Sequence, residues 1–278
     1  MNRYKFTEEP HAHWLDEKPL LGTTTVLSII SKELTWWASG MCAGTMGWLN
    51  SKKADKNERL ISAGAKLTDI KLMNVGQYLD LLDTAYKAHN VKKESRAAEG
   101  TDLHALAEEW IKNKMDGDNG EGANEELLAY VPNEKLRPFI TYCERNVKRF
   151  LFSEIHCYSE RLWVGGKTDF GYEDMDGNYV LADIKSRDKD YFSDHVQCGA
   201  YDILLSQNGG FDADGNKTFE MMKGTLVSGK IVQMDFDKHA IFTLGEKFKE
   251  PVFSNPQKNR DAFEFALGLY KLRQDYEG

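Results

Sequence analysis

Residues Trp163 to Lys185 read WVGGKTDFGYEDMDGNYVLADIK. It predicts two β-strands joined by a tight turn, because Asp176-Gly177 is a dipeptide that hairpin turns favour. Successive side chains of a strand point to opposite faces of its sheet. The second predicted strand therefore places Asp183 and Lys185 on the same face, with apolar residues on both faces before them.

Three charged side chains of this hairpin are expected to converge. Asp169 lies on the first strand and can reach Asp183 and Lys185 from there. Asp183 ends an apolar run, where an unpaired carboxylate would be costly to bury. Two carboxylates beside a lysine can hold a hard divalent cation and position a water molecule or offset negative charge. The alternative interpretation of this D-x-K pattern is a salt-bridged edge strand.

Four short motifs follow one another along the chain in a fixed order. They are GTDLH (Gly100–His104), GGKTDF (Gly165–Phe170), ADIK (Ala182–Lys185) and QCGAY (Gln197–Tyr201). Together and in this order they resemble the PD-(D/E)XK nuclease superfamily, and within it the RecB-like exonuclease branch. That branch includes phage-type recombination and repair exonucleases. The resemblance covers the middle of the chain and rests on the ordered set, since each motif alone is common.

The resemblance implies a metal centre. Its ligands would be His104, which follows Gly-Thr on a predicted helix, the carboxylates of Asp169 and Asp183, and the backbone carbonyl of Ile184. These groups would bind one or two Mg²⁺ or Mn²⁺ ions. An imidazole among carboxylates makes Mn²⁺ more favourable than it would be at an all-oxygen site.

The resemblance also assigns the residues around that centre. Lys185 would be catalytic together with Asp169 and Asp183, either orienting or deprotonating the attacking water or offsetting charge at phosphorus. Gln197 and Tyr201 would support the site and contact the DNA. Some nucleases of the superfamily use one more glutamate, for which Glu154 and Glu160 are both candidates; the sequence does not choose between them.

The implied activity is metal-dependent hydrolysis of phosphodiester bonds from DNA ends, in recombination, repair or phage DNA processing. The expected partner is linear DNA, and the resemblance admits a single-strand annealing protein as a second partner. Two alternatives stay open: a structure-specific endonuclease on the same fold, and a catalytically silent DNA-binding module. Cleavage polarity, strand preference and oligomeric state are not readable from the sequence.

Basic side chains near the motifs are candidates for contacts with the DNA backbone. They are Lys167, Arg187, Lys189 and the basic residues of a predicted helix over 133–149, namely Lys135, Arg137, Arg145, Lys148 and Arg149. Such contacts would be independent of sequence and sensitive to salt. The formal net charge of −8 disfavours nucleic-acid binding by the whole surface, but a local basic groove is sufficient.

Cysteine usage bears on the cofactor and the compartment. The four cysteines, Cys42, Cys143, Cys157 and Cys198, form no C-x-x-C pair. This pattern disfavours a zinc ribbon and a disulfide framework, and it favours a reducing cytosol, bacterial or that of a phage-infected host. Some members of the resembled branch hold an iron–sulfur cluster with C-terminal cysteines. No cysteine follows Cys198, so we expect no cluster. No segment reads as a membrane span or a signal peptide.

The pattern of elements predicts a mixed α/β fold, with a central β-sheet flanked by helices as in restriction endonucleases. We expect one nuclease domain over residues 1–278, with a mainly helical part at 1–98 and the catalytic core at 99–278. The first 21 residues are expected to be irregular, and His11 and His13 to be solvated. Thr23 is expected to cap the helix that follows it.

Overall fold

The computed structural model describes residues 3–31, 35–49, 54–116, 136–220, 226–227, 230–231, 236–245 and 249–277. These residues divide into two compact units. One comprises Met1–Ser31 with Asp102–Gly278 and contains the sheets, and the other is the helical segment Lys32–Thr101. The division therefore differs from a boundary at residue 98, because the first 31 residues belong to the unit that contains the sheets.

The described elements have the following bounds. The strands are β1 (Tyr4–Thr7), β2 (Ala12–Leu15), β3 (Lys18–Pro19), β4 (Leu21–Gly22), β5 (Val147–Ser159), β6 (Val164–Asp174), β7 (Tyr179–Lys185), β8 (Gly210–Phe211), β9 (Lys217–Phe219), β10 (Leu226–Val227), β11 (Lys230–Ile231), β12 (Lys238–Thr243) and β13 (Val252–Ser254). The helices are α1 (Thr23–Leu27), α2 (Thr35–Thr45), α3 (Lys56–Leu72), α4 (Val75–Asp116), α5 (Leu136–Asn146), α6 (Phe192–Asn208) and α7 (Pro256–Glu277), with a 3₁₀ turn at Ser28–Ile30.

The central sheet has the strand order β13-β12-β7-β6-β5-β8-β9, and β4 also pairs with β6. The β7–β12 and β4–β6 pairs are parallel, and the other pairs are antiparallel. Helices cover both faces of this sheet, so the mixed α/β prediction is confirmed. Two small antiparallel sheets, β1-β2-β3 and β10-β11, accompany it.

Each face of the central sheet has its own apolar core. Val180, Ala182 and Ile184 pack with α5 and with the part of α4 that contains Leu103. Leu181, between them in sequence, packs instead in the core formed with α1, α6 and α7. The predicted alternation along β7 is therefore confirmed. The burial follows from the strand geometry, because residues two apart share a face.

The expectation of an irregular first segment is wrong. Residues 4–19 form the β1-β2-β3 sheet, in which Tyr4 pairs with Leu15 and both are buried. These strands are two to four residues long, too short for a periodic signal in the sequence. Thr23 is not the cap of α1, since Gly22 occupies that position; Thr23 Oγ1 instead donates a hydrogen bond to the Gly165 carbonyl.

Several boundaries also differ from those predicted. The helix expected to open at Gly100 begins at Val75, and the helix expected over 133–149 is described as Leu136–Asn146, followed directly by β5. The residue Lys135 lies outside the described ranges. Glycine is unfavourable inside a helix but does not end one when its neighbours continue the pattern, which explains the missed start of α4. Among the described helices, none is both long and apolar enough to cross a membrane.

The turn between β6 and β7 forms where Asp176-Gly177 predicted it. Gly177 has φ 83°, a left-handed conformation that glycine adopts without steric cost. The carboxylate of Asp174 accepts hydrogen bonds from the backbone N–H groups of Asp176 and Asn178. These bonds fix the turn and with it the register of the two strands.

A buried polar network fastens α6 and α7 to β12. Asp202 Oδ2 lies 2.9 Å from His239 Nε2 and accepts a hydrogen bond of 2.8 Å from Arg260. The side chains of Asp202 and His239 are 0% exposed. The amide of Asn259 reaches His239 Nδ1 at 2.9 Å and so extends the network along α7. Because α6 carries Gln197 and Tyr201, the network holds the helix that faces the hairpin.

Removal of the Asp202 carboxylate should lower the free energy of unfolding of the protein. Asp202→Ala leaves His239 and Arg260 without their shared acceptor, and breaking such a buried pair costs about 3–5 kcal/mol. We expect that loss in the free energy of unfolding measured by urea denaturation. Asp261→Ala is the matched control, because this exposed aspartate of α7 pairs only with Gln257 in the described structure, and its loss should cost under about 1 kcal/mol. Equal losses for the two variants would contradict this prediction.

Candidate metal centre

The centre forms where the β6–β7 ladder ends. The last pair of the ladder is Phe170 with Ala182, so the backbone of Asp169 and that of Asp183 are no longer paired across the two strands. The side chain of Asp169 occupies the gap instead, and its Oδ2 accepts a hydrogen bond of 2.6 Å from the Ile184 N–H. The prediction that Asp169 reaches the end of β7 from the neighbouring strand is confirmed.

Lys185 connects the hairpin to α6. Its Nζ lies 2.7 Å from Asp183 Oδ2 and donates a hydrogen bond of 3.0 Å to Gln197 Oε1. Gln197 in turn donates a hydrogen bond of 2.7 Å to the Tyr201 hydroxyl. The structure therefore brings together the lysine and the Gln/Tyr pair that the sequence placed twelve or more residues apart.

Asp183 is almost completely buried, with 1% of the residue exposed. Its Oδ2 forms an ion pair with Lys185 at 2.7 Å. No donor among the described residues makes a hydrogen bond of good geometry to that atom. A buried carboxylate oxygen that lacks such a partner is costly. The Lys185 ammonium at 2.7 Å is the charge that offsets this carboxylate in the described structure.

His104 approaches the same point from α4. Its Nδ1 lies 4.0 Å from Asp169 Oδ2, and its ring also hydrogen-bonds to the backbone of Ile184. Leu103 and Ala107 on either side are fully buried against the sheet, so the packing of α4 fixes the position of this histidine. The imidazole, the Asp169 carboxylate and the Ile184 backbone are thus neighbours, as the resemblance implied.

Glu154 is the glutamate that joins this group. One ligand atom from each of His104, Glu154 and Asp169 can be chosen so that all lie within 4.8 Å of one another. Glu160, the other candidate, is exposed and pairs with Arg3 at 2.7 Å. Of the two candidates, Glu154 is therefore the one that lies beside His104 and Asp169.

An irregularity in β5 directs Glu154 to the centre. Glu154 has φ 52°, a left-handed conformation that is rare for a residue with a side chain. Phe152 and Ile155, which are three residues apart, both pack in the core with α6 and α7, so the alternation of faces is interrupted between them. Such irregularities re-aim side chains and are frequent next to active sites. The sequence contains no glycine or asparagine here that would have signalled it.

The carboxylates of Asp169 and Glu154 are difficult to ionise. Burial, and after it the charge of Asp183, raises the pKa of Asp169 to about 7. Burial, and after it the charge of Asp169, raises the pKa of Glu154 to about 7. Each group therefore disfavours ionisation of its neighbour. A divalent cation among them would relieve both the desolvation and the repulsion.

The pKa values of the two basic residues of the centre shift in opposite directions. Burial lowers the pKa of His104, although the charge of Asp183 opposes this effect. Burial would also lower the pKa of Lys185, but the carboxylates of Asp183 and Asp169 outweigh it and raise that pKa. His104 is therefore a neutral nitrogen donor near pH 7, as a metal ligand must be, and Lys185 is a fixed positive charge.

Of the seven basic residues predicted to contact DNA that lie in the described ranges, four have acidic partners. Lys167 lies 2.5 Å from Glu154, Lys148 and Arg149 both bind Glu173 at 2.6 Å, and the Arg187 guanidinium contacts the Asp194 carboxylate. The side chains of Arg137, Arg145 and Lys189 are exposed. Among the described candidates, these three are the more accessible to a polyanion.

Comparison of the chain with models of known protein families and with curated proteins finds no match. Membership of the RecB-like branch therefore remains a prediction that rests on the ordered motifs. The geometry described above stands independently of it, because the distances and burial are those of this chain.

Substitution of Glu154 should have a pH-dependent effect on stability. Between about pH 4.5 and 7 the folded protein retains a proton on Glu154 that the unfolded chain has released, so the contribution of this group to stability falls as pH rises. Glutamine carries no charge at any pH. In EDTA, Glu154→Gln should raise the free energy of unfolding relative to wild type by on the order of 2 kcal/mol more at pH 8 than at pH 5.

Glu160→Gln is the control for this measurement, since Glu160 is exposed and lies outside the centre. Its effect should not change in this way with pH. Urea titrations of the three proteins at both pH values give the comparison. A Glu154→Gln effect that is equal at pH 5 and pH 8, or larger at pH 5, would show that Glu154 ionises normally in the fold.

Proposed function

We propose that this protein is a divalent-metal-dependent deoxyribonuclease that hydrolyses DNA from its ends, in recombination, repair or phage DNA processing. One observation carries the proposal: the fold gathers a histidine, three carboxylates and a lysine at the end of one hairpin. These side chains come from four elements: His104 from α4, Glu154 from β5, Asp169 from β6, and Asp183 and Lys185 from β7.

The donor atoms suit Mg²⁺ or Mn²⁺. Asp169 and Asp183 supply hard carboxylate oxygens, His104 supplies a neutral nitrogen, and Ile184 supplies a backbone carbonyl. Burial and the charge of Asp183 raise the pKa of Asp169 to about 7, and a bound cation would stabilise the ionised form of that carboxyl. When bound, the metal polarises the scissile phosphate and lowers the pKa of a water molecule.

Lys185 is proposed to act on the reacting groups through its charge and its position. Its ammonium is held between Asp183 at 2.7 Å and Gln197 at 3.0 Å. A cation held from two sides can orient a water molecule or offset the charge that develops on phosphorus. Gln197 and Tyr201 therefore position Lys185 as well as offering a surface to the DNA.

DNA binding is proposed to be independent of sequence. We find no separate recognition module among the described elements, and the exposed basic side chains Arg137, Arg145 and Lys189 are suited to phosphate contacts. Binding of this kind weakens as salt rises, because phosphate contacts release condensed counterions. A single-strand annealing protein is a proposed partner for the processed strand.

Removal of one carboxylate should abolish cleavage without unfolding the protein. Asp183→Asn keeps the size of the side chain but removes the charge, and we expect Mg²⁺- or Mn²⁺-dependent degradation of end-labelled linear DNA to fall by about 100-fold or more. Asp176→Asn, an exposed aspartate in the turn of the same hairpin, should leave the rate unchanged. Duplex and single-stranded substrates are compared with EDTA as the blank.

A covalently closed circle distinguishes the alternatives in the same assay. Loss of linear DNA with the circle intact supports an exonuclease, and cutting of the circle would move the assignment to an endonuclease. If the wild-type protein binds DNA but cleaves none of the substrates with either metal, the protein is a binding module. Full activity of Asp183→Asn would place the reaction elsewhere in the protein.

A further inference from the structure

A cavity of about 370 Å³ lies beside the candidate metal centre. Its walls come from β2, from the β4–α1 junction, from residues 165–167 of β6 and from Tyr201 of α6. Ligand cavities in proteins measure about 300–1,000 Å³, so this one is large enough for a single nucleotide but not for a duplex. The side chains proposed to bind the metal do not line it.

The sheet topology produces this cavity. Along one edge, β6 pairs with β5 over almost its whole length. Along the other edge, β4 pairs with Val164 and Gly165, whereas β7 pairs with residues 170–173. Residues 166–169 therefore have no strand partner on that edge among the described elements. The cavity opens at the start of this gap, and Asp169 lies at its end.

The cavity and the centre are close and share contacts. Gly166 lies three residues before Asp169 on β6, roughly 10 Å along a strand. Lys167 lines the cavity and pairs with Glu154 at 2.5 Å. Tyr201 also lines it, and through Gln197 it is linked to Lys185. A ligand in the cavity would therefore touch residues that also hold the centre.

A small residue is required where β6 forms the wall. A Cβ atom on Gly166 would lie 2.6 Å from Tyr201 and 2.7 Å from Thr23, and one on Gly165 would lie 2.7 Å from His13. These approaches are too close for any side chain. The two glycines of the GGKTDF motif thus allow His13, Thr23 and Tyr201 to close around the cavity.

His13 contributes a buried imidazole to the wall of the cavity. It is 7% exposed, and its Nδ1 lies 2.7 Å from the hydroxyl of the buried Tyr4. Burial lowers the pKa of His13 to about 3, so the ring is neutral near pH 7 and carries one N–H group.

The remaining polar walls suit the oxygens of a nucleotide. Thr24 and Thr25 line the cavity with exposed side chains, and Lys167 adds an ammonium. No acidic side chain is among the described residues that line it. The carboxylates of the neighbouring centre do not line the cavity, and the one that contacts its wall, Glu154, is paired with the Lys167 ammonium at 2.5 Å.

We propose that this cavity receives the terminal nucleotide of a DNA strand while the adjoining phosphodiester lies at the metal centre. Donors from Thr24, Thr25 and Lys167 bind the phosphate or sugar oxygens of that nucleotide. The inference rests on the proposed nuclease function and deepens it, because a cavity of this size selects strands that have an end. The cavity thereby acts as the structural basis of exonuclease specificity.

Filling the cavity from its rim tests this proposal. Thr24→Tyr introduces a ring at an exposed position, so folding should be retained, and Ser28→Tyr adds the same ring at an exposed position that does not line the cavity. Binding is measured in EDTA, without cleavage, for a linear single-stranded oligonucleotide and for the same sequence closed into a circle. Wild type and Ser28→Tyr should bind the linear strand about tenfold more tightly than the circle, and Thr24→Tyr should bind both equally.

Two results would overturn the proposal: equal affinity of the wild-type protein for linear strand and circle, or an unchanged preference in Thr24→Tyr. The outcome is separate from that of the nuclease assay. A wild-type protein that prefers strand ends but never cleaves would sink the proposed function and leave the cavity as an end-binding site. A wild-type protein that cleaves linear DNA and circles equally well would remain a nuclease but would have no terminal-nucleotide site.

Discussion

The hydrogen bond from the Ile184 N–H to the Asp169 carboxylate is the interaction on which the rest of the site depends. At this point the β6–β7 ladder has ended, and a buried N–H group without an acceptor would be costly. Asp169 satisfies that donor, and in doing so it is fixed beside Asp183 and below His104. As a consequence, two carboxylates are held close together where they are largely shielded from water. Carboxylates are therefore concentrated at the point where the β6–β7 pairing ends.

This concentration of carboxylates explains the pKa shifts of the neighbouring side chains. Burial and mutual repulsion raise the pKa of Asp169 and of Glu154 to about 7, while Lys185 is held as a cation by the same carboxylates. Clusters of opposed shifts of this kind are more frequent at functional sites than in structural ion pairs. The His239–Asp202–Arg260 network offers a contrast within the same unit. There the acid is shared by two donors and serves to fasten helices, and no second carboxylate takes part in the network as the structure describes it.

Structural features that depend on neighbouring residues could be predicted from the sequence. Features that depend on contacts between residues far apart in the chain could not be predicted from local patterns. The β6–β7 hairpin and the faces of β7 followed from Asp176-Gly177 and from the alternation of apolar residues, because both signals are local. His104, Gln197 and Tyr201 could be placed only through the resemblance, since nothing in a lone histidine or an i, i+4 pair specifies a site. Glu154 could not be selected over Glu160, because its orientation depends on a left-handed residue inside β5. The β1-β2-β3 sheet and the cavity beside it were missed, since strands of two to four residues leave no period to detect.

We propose that these side chains together form one divalent-cation site. Crystals grown with Mn²⁺ and measured at the manganese absorption edge test it most directly, because the anomalous difference map locates the ion without reference to activity. We predict a peak in contact with His104, Asp169, Asp183 and the Ile184 carbonyl, and its loss in crystals of Asp183→Asn. A fully ordered centre with no peak, or Mn²⁺ bound only at other acidic positions, would contradict the account.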